Sequence, residues 1–170
     1  ESAESEAADR EDLRLPANQV ALLNAVAAVQ RNIVVVLHAG GVVETPWATQ
    51  TTALLHAYLG GEAGAEAVCD VLTGAVEPGG RLAESFPVAL TDTPTANRFP
   101  ATGRTAEYRE GLFVGYRHYD THGVDVAYPF GFGLGYTTFE YTDLTVTADE
   151  VTLTVTNIGD RPGADVPQVY

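Results

Sequence analysis

The chain contains no lysine, a single cysteine and no long apolar run. All nine of its basic residues are arginine, against 23 acidic residues, and the formal net charge at pH 7 is −14. Because phosphate binding needs clustered cations and these arginines are scattered, we expect no nucleic-acid partner. The lone Cys69 allows no disulfide framework within the chain. No run approaches the ~20 apolar residues of a transmembrane helix, so we expect no membrane contact.

The composition is that of a folded domain. Hydrophobic residues make up 45% of the 170 residues, which is enough for an apolar core. The first residues show no basic-then-apolar signal pattern, so the sequence leaves cytoplasmic and secreted locations open. Because the chain begins at Glu1 without a methionine and ends at Tyr170 inside a strand-like run, we expect it to be a piece of a longer protein.

The first half of the sequence alternates helical and strand patterns. Apolar residues recur at helical spacing from Pro16 to near Arg31, and a β-branched run follows at 33–37. A second apolar run at 53–59 precedes another helical pattern at 63–72. This alternation predicts an α/β fold with a mostly parallel sheet flanked by helices.

The second half of the sequence is less regular. Residues 88–110 predict a long irregular loop, and residues 116–141, hereafter the aromatic segment, combine many aromatic residues with glycines. We interpret the aromatic segment as a packed surface loop rather than a helix. Alternating residues at 141–147 and 151–156, with a third run from Val166, predict the incomplete start of an antiparallel β-sandwich. A short strand is also expected at 81–86.

Most familiar catalytic and metal patterns are absent or weak. No Gly-x-Ser-x-Gly elbow occurs, and 39–41 has too few glycines for a nucleotide loop. His118 and His122 have a spacing seen in some zinc sites, but they lack a cysteine partner, so we expect no metal there. Trp47 is compatible with stacking on a sugar ring, although a core position is favoured.

Acidic residues cluster just before the first predicted helix. Glu4, Glu6 and Asp9 stand beside Arg10. Taken alone, such a cluster is typical of a solvated surface run or of helix capping. The residues by themselves therefore assign it no chemistry.

Several motifs follow one another along the whole chain. They are Glu6-Ala7-Ala8-Asp9-Arg10, Leu13-x-Leu15-Pro16, Val43-Glu44-x-Pro46-Trp47, Asp70-Val71-Leu72-x-Gly74, Pro78-Gly79-Gly80-Arg81-Leu82, Ser85-Phe86-Pro87 and the aromatic segment. In these motifs the chain resembles the C-terminal half of glycoside hydrolase family 3, the β-glucosidase and β-xylosidase group. The resemblance implies an α/β sandwich domain over residues 1–134 and the start of a fibronectin type III-like domain over 135–170.

The resemblance also implies a retaining exo-β-glycosidase that needs no cofactor and acts on β-linked oligosaccharides or glycosides. The nucleophilic aspartate belongs to a barrel domain that is not in this chain, so the fragment alone is expected to be inactive. The general acid/base falls on Glu6, with Glu4 as the fallback. Asp9 and Arg10 are expected to hold the loop, and Ala7 replaces a usual glycine in it. The alternative function is a non-catalytic carbohydrate-binding or structural module.

Overall fold

The computed structural model describes residues 10–101 and 103–170. These residues form two compact units. The first unit comprises the described residues up to Gly61 together with Ala83–Phe130. The second unit comprises Glu62–Leu82 and Gly131–Tyr170.

The described chain forms three α-helices and six β-strands. In chain order they are α1 (Ala17–Ala27), β1 (Val34–Leu37), β2 (Ala53–His56), α2 (Gly64–Thr73), β3 (Phe86–Pro87), α3 (Tyr116–His122), β4 (Val126–Tyr128), β5 (Phe139–Val146) and β6 (Val151–Asn157). Two short 3-10 helices lie at Pro46–Gln50 and Leu90–Asp92. None of the helices in this part of the chain is long and apolar enough to cross a membrane.

The predicted α/β class is confirmed. Strands β1 and β2 pair in parallel, with Val34 opposite Ala53 and Leu37 opposite His56. The helical and strand periods predicted at 16–31, 33–37, 53–59 and 63–72 each correspond to an observed element. The first three elements are one to five residues shorter than predicted, and α2 has the predicted length but begins one residue later. In the described residues the parallel sheet has only these two strands.

Aromatic and β-branched residues build the core of the first unit. The buried apolar residues of this core are Ile33, Leu37, Ala39, Val43, Trp47, Phe86, Pro87 and Tyr119. The Phe86 ring makes edge-to-face contacts with the rings of His56 at 5.5 Å and Tyr128 at 6.1 Å. Phe86 and Tyr128 also pair across the antiparallel strands β3 and β4. The expected strand at 81–86 is thus reduced to its last residue plus Pro87.

The prediction that the aromatic segment contains no helix was wrong for its first seven residues, which form α3. The glycines flank this helix and do not interrupt it: Gly115 precedes it at φ 59° and Gly123 caps its C-terminus at φ 63°. Tyr119, which is buried, anchors α3 on the core of the first unit. From Pro129 to Thr138 the segment has no regular secondary structure, as expected for a loop.

The second unit contains α2 and an antiparallel hairpin. Strands β5 and β6 pair from Phe139–Asn157 to Val146–Val151, which confirms the two predicted antiparallel strands. The half-burial that their alternation predicts was wrong, because every residue of the two strands except Phe139 and Leu153 is exposed. The third strand predicted from Val166 is not formed in the described chain, because the backbone there has no ladder partner. The loop at 88–110 contains only the 3-10 helix Leu90–Asp92 in its described part.

Candidate functional site

The site predicted from the sequence begins in a part of the chain that the structure does not describe. Glu6, its fallback Glu4, and Asp9 all lie outside the described residues, as does Ala7. The described part of the site starts at Arg10. The contacts described below are therefore those of residues 10–13, which follow the predicted acid/base, and of the parts of the first unit that they contact.

Two hydrogen bonds fix residues 10–13 to the chain that follows β1. Arg10 Nη2 donates to the carbonyl oxygen of Val42 at 2.9 Å. The backbone N–H of Glu44 donates to the carbonyl oxygen of Leu13 at 2.7 Å. The guanidinium passes close to Gly41, where an added Cβ would meet Arg10 Nη2 at 3.6 Å. The segment is thus anchored at two points three residues apart.

Glu44 connects three pieces of the first unit. Besides its N–H bond to Leu13, its carboxylate Oε1 accepts the backbone N–H of Leu90 at 2.8 Å. Its carbonyl oxygen accepts the indole N–H of Trp47 at 3.2 Å. Glu44 itself is half-buried between the buried Val43 and Thr45. Because all three of its polar groups are used, the position of residues 42–44 is set from several sides.

Trp47 is a core residue. It is only 4% exposed, and its indole N–H is satisfied by Glu44. Pro46 occupies the first turn of the 3-10 helix, where a missing N–H costs nothing. The predicted core position of Trp47 is confirmed, and the ring face offers no open platform for a sugar.

An open cavity of about 970 Å³ lies beside this anchor. It is lined by residues 10–12 and 14–17, by one side of α1, by Glu44 and by residues of the 3-10 helix at Pro46–Gln50. On its rim Arg14 forms a close ion pair with Asp12, with Nη2 and Oδ2 2.5 Å apart. The hydrogen bonds from Arg14 lower the pKa of Asp12. Both side chains are solvated, so the pair orders the rim without contributing much stability.

The rings of His118 and His122 lie one turn apart on α3, with their centroids 4.9 Å apart and their planes tilted by 40°. His118 Nε2 lies 3.3 Å from the carbonyl oxygen of Asp92, and His122 Nδ1 lies 2.9 Å from that of His118. Both rings thus contact backbone carbonyl groups. Within residues 10–101 and 103–170, no group of three or more His, Cys, Asp or Glu side chains is placed to hold a metal ion.

Sequence reasoning missed two features of this region. Glu44 stands out in the sequence only as part of a motif, because its bond to Leu90 spans 46 positions and leaves no local signal. Tyr58, expected inside a strand, lies two residues beyond β2 in the left-handed region, with φ 47°. Burial of its phenol, together with the charge of Glu84, raises the pKa of Tyr58. Residues other than glycine rarely adopt this left-handed backbone conformation, and its presence at Tyr58 marks local strain.

A family model matches most of the chain. The model described as glycosyl hydrolase family 3 C-terminal domain covers residues 1–136. Among curated proteins, thermostable beta-glucosidase B of Acetivibrio thermocellus is 47% identical over 98% of the chain. An exo-alpha-(1->6)-L-arabinopyranosidase of Bifidobacterium longum is 45% identical over 100% of the chain. In both cases the chain spans 23% of the length of the relative.

Solved structures agree with the sequence comparisons. The beta-glucosidase of Bifidobacterium adolescentis superposes with a TM-score of 0.88 at 48% identity, covering 93% of this chain and 24% of that one. The beta-glucosidase of Kluyveromyces marxianus in complex with glucose gives a TM-score of 0.85 at 40% identity, with 94% and 20% covered. The fold described above is therefore shared with proteins about four to five times as long.

Proposed function

Because the chain belongs to glycoside hydrolase family 3, we propose that it is the acid/base-bearing portion of a retaining exo-β-glycosidase, specifically a β-glucosidase. The enzyme would release terminal non-reducing β-linked sugars. The observation that carries this proposal is the similarity to proteins named beta-glucosidase over 98% of the chain. We further propose that residues 1–134 are the α/β sandwich domain and 135–170 the start of a fibronectin type III-like domain.

The proposed reaction uses two carboxyl groups in two steps. An aspartate in a barrel domain outside this chain attacks the anomeric carbon, while Glu6 donates a proton to the departing glycosidic oxygen. In the second step Glu6 takes a proton from water, which attacks the same carbon and releases the aspartate. The sugar therefore leaves with retained configuration. No cofactor takes part in this chemistry.

The anchored segment after Glu6 supports its assignment. A general acid must be held within hydrogen-bond reach of the leaving oxygen, about 2.6–3.2 Å, and protonated at the working pH. Arg10 is only four positions beyond Glu6, and its bond to Val42 fixes the chain at that point. Because Glu6 lies only four positions before this anchor, the anchor limits how far the Glu6 position can lie from Val42, as the positioning of an acid requires.

Replacing Glu6 with alanine in the full-length enzyme tests the proposal. On cellobiose, whose leaving group needs a proton, we expect kcat/KM to fall by about 10²- to 10⁴-fold, the usual contribution of acid/base catalysis. On 2,4-dinitrophenyl β-glucoside the first step should survive, and azide should restore turnover by yielding a glucosyl azide. Glu4→Ala is the matched control and should leave both activities near those of the wild type.

Three results would count against the assignment. Hydrolysis of cellobiose by Glu6→Ala at the wild-type rate would sink it. A loss in Glu4→Ala with Glu6→Ala intact would move the acid/base to Glu4. A full-length protein with no glycosidase activity at all would favour the non-catalytic module. Because one relative is named an arabinopyranosidase, the 4-nitrophenyl substrates should include the α-L-arabinopyranoside beside the β-glucoside.

A further inference from the structure

We propose that Glu44 is a positioning residue for the general acid/base, acting through the hydrogen bond between its carboxylate and the N–H of Leu90. This inference rests on the proposed function, since it presupposes that Glu6 is the acid/base. Glu44 would not contact the substrate. It would hold the backbone segment to which the loop carrying Glu6 is attached.

Of the three hydrogen bonds of Glu44 described above, the carboxylate bond is the one that depends specifically on its side chain. The bonds to Leu13 and Trp47 use the backbone N–H and C=O, which any residue at this position would supply. Oε1, by contrast, reaches across to the start of the 3-10 helix Leu90–Asp92 and accepts an N–H at 2.8 Å. Losing this oxygen would leave a half-buried N–H without its partner and release residues 42–44 on that side.

Residues 42–44 are also the place where the acid/base segment is attached. Arg10 bonds to Val42, and Leu13 bonds to Glu44 itself. A series of contacts therefore leads from Leu90 through the Glu44 carboxylate to residues 10–13, which follow Glu6 in the sequence. Three residues lie between Glu6 and Arg10, so the two positions are at most about 14 Å apart even when the chain is fully extended. The anchored residues are therefore close neighbours of the proposed acid/base in the sequence.

Misplacing an acid is costly for some substrates and harmless for others. A displacement of about 1 Å can cost on the order of 10²-fold in rate when the group must donate a proton. A substrate whose leaving group departs without protonation is insensitive to the same displacement. The dependence of rate on the leaving group therefore separates a positioning role from a loss of folded enzyme, because both substrates report on the same folded fraction.

The test compares Glu44→Ala and Glu44→Gln in the full-length enzyme, with cellobiose and 2,4-dinitrophenyl β-glucoside as substrates. For Glu44→Ala we expect kcat/KM on cellobiose to fall about 10- to 100-fold and on the activated substrate by about threefold or less. Glu44→Gln keeps an oxygen acceptor at the same place and should stay within about threefold of wild type on both substrates.

Asp92 provides the matched control. Its carboxylate Oδ2 accepts the backbone N–H of Ala89 at 3.0 Å, the same kind of bond in the same loop. Asp92→Ala should show no leaving-group dependence. An equal loss on both substrates in Glu44→Ala, the same substrate-dependent loss in Asp92→Ala, or failure of Glu44→Gln to retain activity would overturn the proposal.

A double variant distinguishes the failure of this inference from that of the proposed function. If Glu44 acts through Glu6, adding Glu44→Ala to Glu6→Ala should change the residual rate on cellobiose by less than about twofold. A full further loss would overturn the role of Glu44 alone and leave Glu6 in place. Wild-type activity in the single Glu6→Ala variant would overturn both proposals.

Discussion

The two units of the chain are stabilised by different kinds of interaction. Among the described residues, every side chain that is almost completely buried belongs to the first unit, including Phe86 at 2% and Trp47 at 4% exposure. The described residues of the second unit contain no such side chain. On its hairpin Leu144 and Val146 remain 68% and 66% exposed. The first unit thus has an apolar core, and the second must be organised in another way.

Directional polar bonds organise the second unit. Arg81 Nη2 donates to Asp165 Oδ1 at 2.6 Å, and the Tyr141 hydroxyl donates to the other oxygen of the same carboxylate. The N–H of Tyr136 is shared between both oxygens of Glu77, at 2.9 and 3.0 Å. These bonds connect parts of the second unit that are distant in sequence. Where burial is small, such bonds decide which parts of the chain stay together.

A second set of contacts closes the end of α2. The Tyr136 hydroxyl donates to the carbonyl oxygen of Val71 at 2.7 Å, and Arg161 donates to that of Gly74. The Arg161 guanidinium also lies 5.4 Å from the centroid of the Tyr136 ring. A cation at a helix C-terminus is stabilised by the helix dipole. We therefore expect the first unit to be sensitive to the loss of side-chain volume in its core, and the second unit to the loss of hydrogen-bond partners.

Removing a core ring should have the largest effect. Phe86→Ala is expected to lower the opening free energy of the first unit by about 3–5 kcal/mol, because it deletes a buried ring and leaves a cavity. Hydrogen–deuterium exchange on the full-length protein measures the two units separately. Phe132→Ala, in the second unit, removes a ring that is already 36% exposed and should cost about 1 kcal/mol. Equal losses for both variants would contradict the comparison.

Removing the shared carboxylate should have a smaller effect, confined to the second unit. Asp165→Ala leaves the Arg81 guanidinium and the Tyr141 hydroxyl without this acceptor, so we expect a loss of about 1–2 kcal/mol in the protection of the hairpin. The side chains of the Arg81–Asp165 pair are only 10% and 13% exposed. Asp12→Ala breaks the solvated pair with Arg14 and should leave exchange unchanged. A larger effect for Asp12 would refute this ranking.

The same bridge predicts the response of the second unit to acid. The hydrogen bond from Tyr141, assisted by those from Val166 and Arg81, holds the pKa of Asp165 below its usual value of 3.8. A lowered pKa in the folded state stabilises the fold at every pH above 3.8, and this contribution disappears as the pH falls from 3.8 through the folded pKa. Protection of the hairpin should therefore drop below that pH in the wild type and less in Asp165→Ala.

Sequence periodicity predicted the elements whose pattern is local. The continuous β-branched run at 33–37 and the helical spacing in 63–72 each led to the correct element. For Tyr116–His122 the amino-acid composition predicted a loop where a helix forms, because the glycines that argue against a helix lie at its two ends. There the burial of Tyr119 and the cap at Gly123 decide the structure, and neither can be read from residue counts.

The assignment of the candidate site to Glu6 is a prediction from family resemblance alone. The motif around Glu6 has no signal of its own in composition or spacing. The contacts that anchor Arg10 to Val42 and Glu44 to Leu90 join residues 32 and 46 positions apart. Such pairings are set by tertiary packing, which a local pattern does not encode. For the same reason the sequence could not show that the hairpin of the second unit relies on Asp165.

The smallest effect is expected at the glycines that begin and cap α2, Gly64 and Gly74. Gly74 ends the helix at φ 76°, and a Cβ there would lie 3.3 Å from Arg161 Nη1. Gly74→Ala should therefore lower the protection of the last turn of α2 by about 1 kcal/mol, through the left-handed strain on alanine.

Gly64, at the start of the helix, has no atom within 4 Å of an added Cβ. Gly64→Ala should raise protection by about 0.5 kcal/mol, because alanine loses less backbone entropy. If the two substitutions change the protection in opposite directions, the cap at Gly74 limits the stability of the end of α2. If both change it in the same direction, helix propensity alone sets that stability.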